Sequence, residues 1–204
     1  MQPQPFKETL IKYIPEASID YICDITANYK LSIKITNPRK SKLGDYRSPI
    51  KDNIHQITIN NNLNKYAFLI TLLHEIAHLL NWQKHKNKVS PHGKEWQNEF
   101  KKLLSDMVFF NIFPDDIKNA LIICFFKKTN FSNSLCLPLD NALRNYSEIK
   151  FTRLIDVPNC NIFTLTNGQT FIKIEKLRKR FKCKDIKTGK LYLVNPLAKI
   201  THYE

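Results

Sequence analysis

The sequence predicts an α+β protein in two parts, and three patterns along its 204 residues support this. Within residues 31–60, short segments alternate apolar and polar side chains, which is typical of strands. Residues 63–82 form a long and strongly apolar stretch that favours a buried helix. From residue 150 onward, short strand candidates and hairpin-type turns replace the helical spacing. We therefore expect helices packed on a small antiparallel sheet, followed by a small β-rich module.

The individual elements of the first part follow from periodicity and from turn residues. Three segments alternate with period two and are expected to be strands: residues 31–36, 43–46 and 55–60. Four segments have helical spacing and are expected to be helical: residues 5–29, 63–82, 92–107 and 114–126. Pro15 is expected to divide the first of these into two short helices, and Pro91 suits the start of the third.

The pattern also divides the chain into domains. Residues 129–149 have no clear period, so we expect a linker between a domain over residues 1–128 and a basic β module over residues 150–204. In that module, Asn167-Gly168 and Thr188-Gly189 are typical hairpin turns. A module of this size is only marginally stable on its own. Its stability must come from burial of the apolar side chains that alternate along its strands.

The composition favours a globular cytoplasmic protein without a membrane partner. Hydrophobic residues make up 43% of the chain and charged residues 25%. The chain has two long apolar stretches, residues 67–80 and 107–126. Polar or charged side chains interrupt both before they reach the roughly 20 apolar residues that span a bilayer. The first residues lack the basic start and apolar core of a secretory signal. The five cysteines form no CxxC pair, so we expect reduced, mostly buried thiols.

The motif that carries chemistry is His74-Glu75-Ile76-Ala77-His78. On a helix, its two histidines stand one turn apart on the same face, where two imidazoles can bind one Zn²⁺. Glu75 is placed to accept a proton from the attacking water. Apolar flanks indicate that the helix is buried, and burying these polar groups is costly unless a partner satisfies them. The alternative is a pair of core histidines that bond to backbone groups or water.

A catalytic zinc site needs a third protein ligand, and His92 is the best candidate. It lies 14 residues after His78, at the expected start of the next helix, so the chain can reverse and return it to the metal. Five other residues are less well placed: Glu95, Glu99, His55, His85 and His202. Of these, His55 and His202 lie in expected strands and are more typical of surface or edge positions.

These residues resemble a known family. The HExxH motif at residues 74–78, followed by His92-Gly93-Lys94-Glu95-Trp96, is similar to the motifs of the SprT-like zinc metalloprotease family. Residues 41–46 and 57–63 also resemble the β-hairpin that precedes the metal helix in that family, and the match covers roughly residues 10–128. One member of the family, Spartan, acts on proteins crosslinked to DNA.

The resemblance implies a zincin-like minimal metalloprotease fold with one Zn²⁺ per chain. By this resemblance, His74, His78 and His92 are the zinc ligands and Glu75 is the catalytic base. Many members end in a zinc ribbon with four cysteines, of which only Cys183 remains here. We therefore expect the C-terminal module to be a degenerate, zinc-ribbon-like β module without a second zinc.

The charge points to an anionic partner. The chain carries 32 Lys and Arg against 18 acids, for a net charge of +14. Two segments, residues 30–51 and 170–204, hold nearly all of this excess, which favours DNA bound without sequence preference. The alternative is a generally Lys-rich composition. The candidate nucleic-acid contacts are Arg178, Lys179, Arg180 and Lys182.

The leading interpretation is an intracellular zinc-dependent endopeptidase with a protein substrate, and DNA-associated proteins are the candidate substrate class. An extended substrate could pair with the strand over residues 55–60. Two alternatives stay open: a DNA-associated binding protein with a structural or vestigial metal site, and a metal-dependent hydrolase of a non-peptide substrate. The intact Glu75 argues against the first, because a purely structural site does not need a carboxylate there.

Overall fold

A computed structural model describes residues 4–39, 41–49, 54–127, 136–148 and 151–204. The chain divides into two compact units, residues 1–148 and 149–204, each with its own hydrophobic core. The mixed α+β class is confirmed, whereas the zincin-like assignment stays a prediction. Among the described residues, no helix combines the length and the apolar character needed to cross a membrane.

The first unit contains the helices. They are α1 (Gln4–Leu10), α2 (Ile19–Asn28), α3 (Lys65–His85), α4 (Lys94–Phe109), α5 (Asp115–Leu121) and α6 (Leu137–Arg144). The expected division at Pro15 is confirmed, because a short 3-10 turn at Glu16–Ser18 separates α1 from α2. The helix expected to reach residue 126 does so by continuing α5 as a π-helix over Ile122–Phe126.

The segment expected to be a linker contains α6 instead. Its Leu139 and Ala142 are buried in the core of the first unit. A helix of eight residues is too short to establish a period in the sequence, which is why the spacing did not reveal it. Residues 129–135 and 149 of the expected linker lie outside the described residues.

The helix α3 carries the HExxH motif through the core of the first unit. The Asn64 side chain caps its start by accepting a hydrogen bond from the backbone N–H of Ala67, at 2.9 Å. Residues on all sides of α3 are buried, the successive Phe68, Leu69 and Ile70 among them. The continuously apolar sequence of this segment is therefore explained by a helix surrounded by other elements.

The sheet of the first unit has three strands, β1 (Leu31–Thr36), β2 (Gly44–Arg47) and β3 (His55–Asn60), in the order β1-β3-β2. β1 runs parallel to β3, and β2 runs antiparallel to it, so the sheet is mixed and not antiparallel as expected. Because β3 is central, both its edges are occupied, and the expectation that it pairs with a substrate is wrong. Alternation within a strand does not reveal the order of strands in the sheet.

The second unit is a six-stranded antiparallel sheet in the order β4-β9-β5-β6-β7-β8. Its strands are β4 (Thr152–Arg153), β5 (Ile162–Leu165), β6 (Thr170–Lys176), β7 (Phe181–Asp185), β8 (Leu191–Val194) and β9 (Lys199–Tyr203). Its core consists of Leu154, Val157, Phe163, Phe171, Phe181, Cys183 and Ile200. The predicted β module is confirmed, and its likeness to a zinc ribbon stays a prediction.

The cysteines differ from expectation at one pair. Cys124 and Cys136, 12 residues apart, form a disulfide that joins the π-helix to the start of α6. Cys23 and Cys183 are buried thiols, and Cys160 is exposed. The expectation of reduced thiols throughout is therefore wrong for one pair. The packing of α6 brings the two sulfur atoms together, and the spacing of these cysteines in the sequence did not indicate that contact.

Candidate metal centre

Three histidines of the first unit converge on one point. His74 and His78 lie one turn apart on α3, and His92 lies just before α4. The Nε2 atom of His92 is 3.0 Å from that of His78 and 3.4 Å from that of His74. Among the described residues, these three are the group of side chains placed to hold one metal ion.

The other sequence candidates lie outside this cluster. Glu99 instead forms an ion pair with Lys84 at 2.6 Å, and His202 lies in the second unit beside Glu204. The three ligand positions that the resemblance implied are thus brought together, and the alternatives are not.

The return of His92 to α3 depends on the turn that precedes α4. The Gly93 N–H donates to the Ser90 carbonyl at 3.0 Å, which closes the turn. α4 then begins at Lys94 and packs against α3, so that Trp96 lies beneath the cluster with its ring centroid 4.6–5.3 Å from the three imidazoles. Trp96 is buried and forms the apolar floor of the site.

The donor atoms fit a zinc ion. A tetrahedral ion with bonds of about 2.0–2.1 Å separates two of its nitrogen ligands by about 3.3–3.4 Å, close to the observed separations. Hydrogen bonds satisfy the cluster less well, since His92 Nε2 offers either one proton or one lone pair to two neighbours. The three side chains therefore fit a metal better than the alternative of hydrogen-bonded core histidines.

Burial keeps the imidazoles neutral. It lowers the pKa of His74 to about 4 and that of His78 to about 3, with a smaller contribution from the neighbouring histidines. Burial also lowers the pKa of His92. Neutral imidazoles present the free lone pairs that a metal requires.

Glu75 lies beside the cluster in a buried position, with 7% of its surface exposed. Burial raises the pKa of its carboxyl to about 7, and the nearby Asp45 adds to this rise. The Tyr46 backbone N–H donates a hydrogen bond to the carboxylate and opposes the shift. A carboxyl that titrates near neutral pH is suited to taking up and returning a proton.

β2 approaches α3 closely at the Glu75 carboxylate. A Cβ on Gly44 would lie 2.6 Å from Glu75 Oε1 and 2.9 Å from Thr71 Cγ2. Only glycine allows this approach without displacing a neighbour. Gly44 therefore contributes to the placement of Glu75.

A partly buried chain of hydrogen bonds next to the cluster was missed from the sequence. The Tyr46 hydroxyl lies 2.8 Å from His55 Nδ1, and His55 Nε2 lies 2.9 Å from Gln83 Nε2. The Tyr46 ring stacks on that of His78, with centroids 6.4 Å apart and planes 5° apart. These contacts tie β2, β3 and α3 together at the wall of the site.

The surface position expected for His55 is wrong, since it is 2% exposed. The sequence did indicate this burial. His55 lies two residues before Ile57 and four before Ile59, so its side chain points to the same face of β3 as these two buried isoleucines. Its own polarity outweighed that pattern in the sequence-based prediction.

A cleft opens onto the cluster. Its lining consists of Gly44, Asp45, Tyr46, His74, Glu75, His78, Pro91 and His92. β2, an edge strand of the sheet, borders this cleft. The side chains that could act on a substrate are thus collected at one accessible place.

The predicted nucleic-acid contacts lie in the second unit. Arg178, Lys179 and Arg180 form the exposed turn between β6 and β7. Lys182 lies in β7 and is ion-paired with Glu175 at 3.2 Å, so its charge is partly neutralised. Two basic residues of the earlier segment, Lys40 and Lys51, lie outside the described residues.

Comparison with known proteins gives one match. Residues 20–115 match the model of the SprT-like family, and they include the three histidines and Glu75. No curated protein and no solved structure matches the chain significantly.

Proposed function

We propose that this chain, whose residues 20–115 match the SprT-like family, is a zinc-dependent endopeptidase. The observation that carries the proposal is the convergence of three neutral imidazoles with a buried carboxylate beside them. A purely structural zinc site is normally closed by four protein ligands, whereas three ligands leave a position for water or substrate.

His74, His78 and His92 would hold the zinc ion. When bound, zinc supplies the Lewis acidity that polarises a scissile carbonyl and favours loss of a proton from water. Glu75 accepts that proton and returns it to the departing amine, which a pKa near 7 permits in both directions. The Tyr46 N–H orients the carboxylate for this transfer.

The substrate would bind along β2. An exposed edge strand offers backbone donors and acceptors to an extended peptide, and β2 is the edge that borders the cleft. A polypeptide in extended conformation is therefore the substrate that the site suits best.

Casein digestion by the zinc-loaded protein tests this function. We expect digestion by the wild type, its loss in Glu75→Gln and its retention in the matched control Glu99→Gln, whose carboxylate pairs with Lys84 outside the site. Absence of digestion by a folded, fully zinc-loaded wild type would overturn the endopeptidase proposal. Hydrolysis of p-nitrophenyl acetate without any peptide cleavage would instead favour a non-peptide hydrolase.

We also propose that the exposed turn Arg178–Arg180 binds DNA electrostatically, which would bring the enzyme to DNA-associated proteins. Because phosphate neutralisation releases counterions, affinity for a single strand should fall with salt, with a log–log slope of about −0.7 per contact. Fluorescence anisotropy with a labelled oligonucleotide measures this. Arg178→Ser with Arg180→Ser should weaken binding, whereas Lys88→Ser, an exposed lysine of the first unit, should not. Binding that is insensitive to salt would contradict the proposal.

A further inference from the structure

The outermost strand of the second unit exposes an unusual amount of apolar surface. β8 is an edge strand, and three successive side chains on it are largely exposed: Leu191 at 57%, Tyr192 at 41% and Leu193 at 54%. Exposed apolar edge strands invite pairing with another chain, and proteins usually shorten, charge or cover them. This edge therefore has the character of a binding surface.

The backbone of β8 offers a defined set of hydrogen-bonding groups. The Asp185 N–H donates to the Lys190 carbonyl at 2.9 Å, which identifies these two residues as a bonded pair of the antiparallel ladder. Bonded pairs alternate along such a ladder, so Tyr192 bonds back to β7, while Leu191 and Leu193 direct their N–H and C=O groups outward. Among the described residues, no strand pairs with that outer edge.

The charge around β8 selects the partner. Residues 176–190 hold eight basic residues and one acid, Asp185, whose carboxylate is occupied by the N–H and hydroxyl of Thr188. Lys184 is the cross-strand neighbour of Leu191, so both side chains lie on the same face of the sheet. Lys184 has no acidic partner among the described residues.

We propose that the outer edge of β8 binds an extended segment of a protein partner in which apolar and acidic residues alternate. The backbone groups of Leu191 and Leu193 would pair with the segment. Its acidic residues would lie on the face of the sheet that carries Lys184, and its apolar residues would lie on the opposite face, beside Tyr192. A second copy of this chain would bring an equally basic surface, residues 176–190, up to this edge, and repulsion between the two surfaces disfavours self-pairing. A nucleic acid offers no peptide backbone to a strand edge. The proposal is independent of the metallopeptidase function.

Fluorescence anisotropy with the full-length protein tests the proposal. The probe is a fluorescein-labelled octapeptide of alternating Val and Glu, and its control is the same peptide with alternate backbone amides N-methylated. We expect the first to bind and the second to bind at least about tenfold more weakly, since each lost hydrogen bond contributes about 0.5–1.5 kcal/mol.

Two variants locate the site. Leu193→Pro removes an outward N–H but leaves the bonds of the β7–β8 ladder in place, so it should weaken binding by about tenfold. Leu193→Ala keeps that N–H and should weaken binding less. Equal binding of the two peptides, or failure of the octapeptide to bind at 1 mM, would overturn the proposal. The proposal would also be overturned if Leu193→Pro weakened the binding of a single-stranded oligonucleotide as strongly as that of the peptide. The edge of β8 would then be a binding surface for nucleic acid.

Discussion

Gly44 lies where β2 passes α3, and its replacement by alanine should displace the Glu75 carboxylate. The added Cβ would lie 2.6 Å from Glu75 Oε1, whereas ordinary contacts begin at 3.4 Å. Glu75 or β2 must therefore move by about 1 Å, and misplacement of that size can cost about 10²-fold in rate. Overpacking of this kind also costs about 1–3 kcal/mol of stability.

Casein digestion, zinc content and thermal unfolding of Gly44→Ala together test this reasoning. We expect full zinc binding, a modest loss of stability and a loss of activity by about two orders of magnitude. The matched control is Gly168→Ala, where the Cβ meets nothing within 4 Å and the positive φ of +84° costs about 1–2 kcal/mol. It should lose similar stability and keep its activity. Wild-type activity in Gly44→Ala would refute the proposed placement of Glu75.

Three further predictions concern single side chains. Glu75→Gln should retain zinc and lose hydrolysis by about 10²-fold or more, as kinetic assay and elemental analysis would show. Tyr46→Phe leaves the buried His55 Nδ1 without its partner, so thermal unfolding should report a loss of about 1–3 kcal/mol with the zinc content unchanged. Burial raises the pKa of Cys183 to about 11 from an ordinary value of 9.0, so the second unit should lose up to about 3 kcal/mol as pH rises from 9 to 11, because only the unfolded thiol ionises there. Alkylation in urea measures this. The urea concentration at which half of Cys183 reacts should fall between pH 9 and pH 11, while the exposed Cys160 reacts at every urea concentration. A constant midpoint for Cys183 would contradict the prediction.

Much of the metal centre could be predicted from the sequence because its determinants are local. The two histidines of α3 are fixed by helical geometry, and the apolar flanks indicate burial of the helix. His92 followed from the length of the connecting turn and from the family motif, and it lies at the cluster. In each case, a short stretch of chain contains the information.

The features that escaped prediction depend on packing between distant segments. The central position of β3, and with it the contacts of His55 with Tyr46 and Gln83, depends on strand order. The helix α6 and the Cys124–Cys136 disulfide depend on contacts that bury a short segment. Strand order and contacts of this kind are not encoded in local periodicity.

Zinc content of the purified protein, measured by elemental analysis after metal-supplemented expression, tests whether the three histidines form a zinc site. We expect one zinc per chain in the wild type and in Glu75→Gln, because the carboxylate does not bind the metal. We expect much weaker zinc binding in His92→Ala, because one of three ligands is lost. A wild type without zinc, or a His92→Ala variant that holds zinc as tightly as the wild type, would contradict the proposed site.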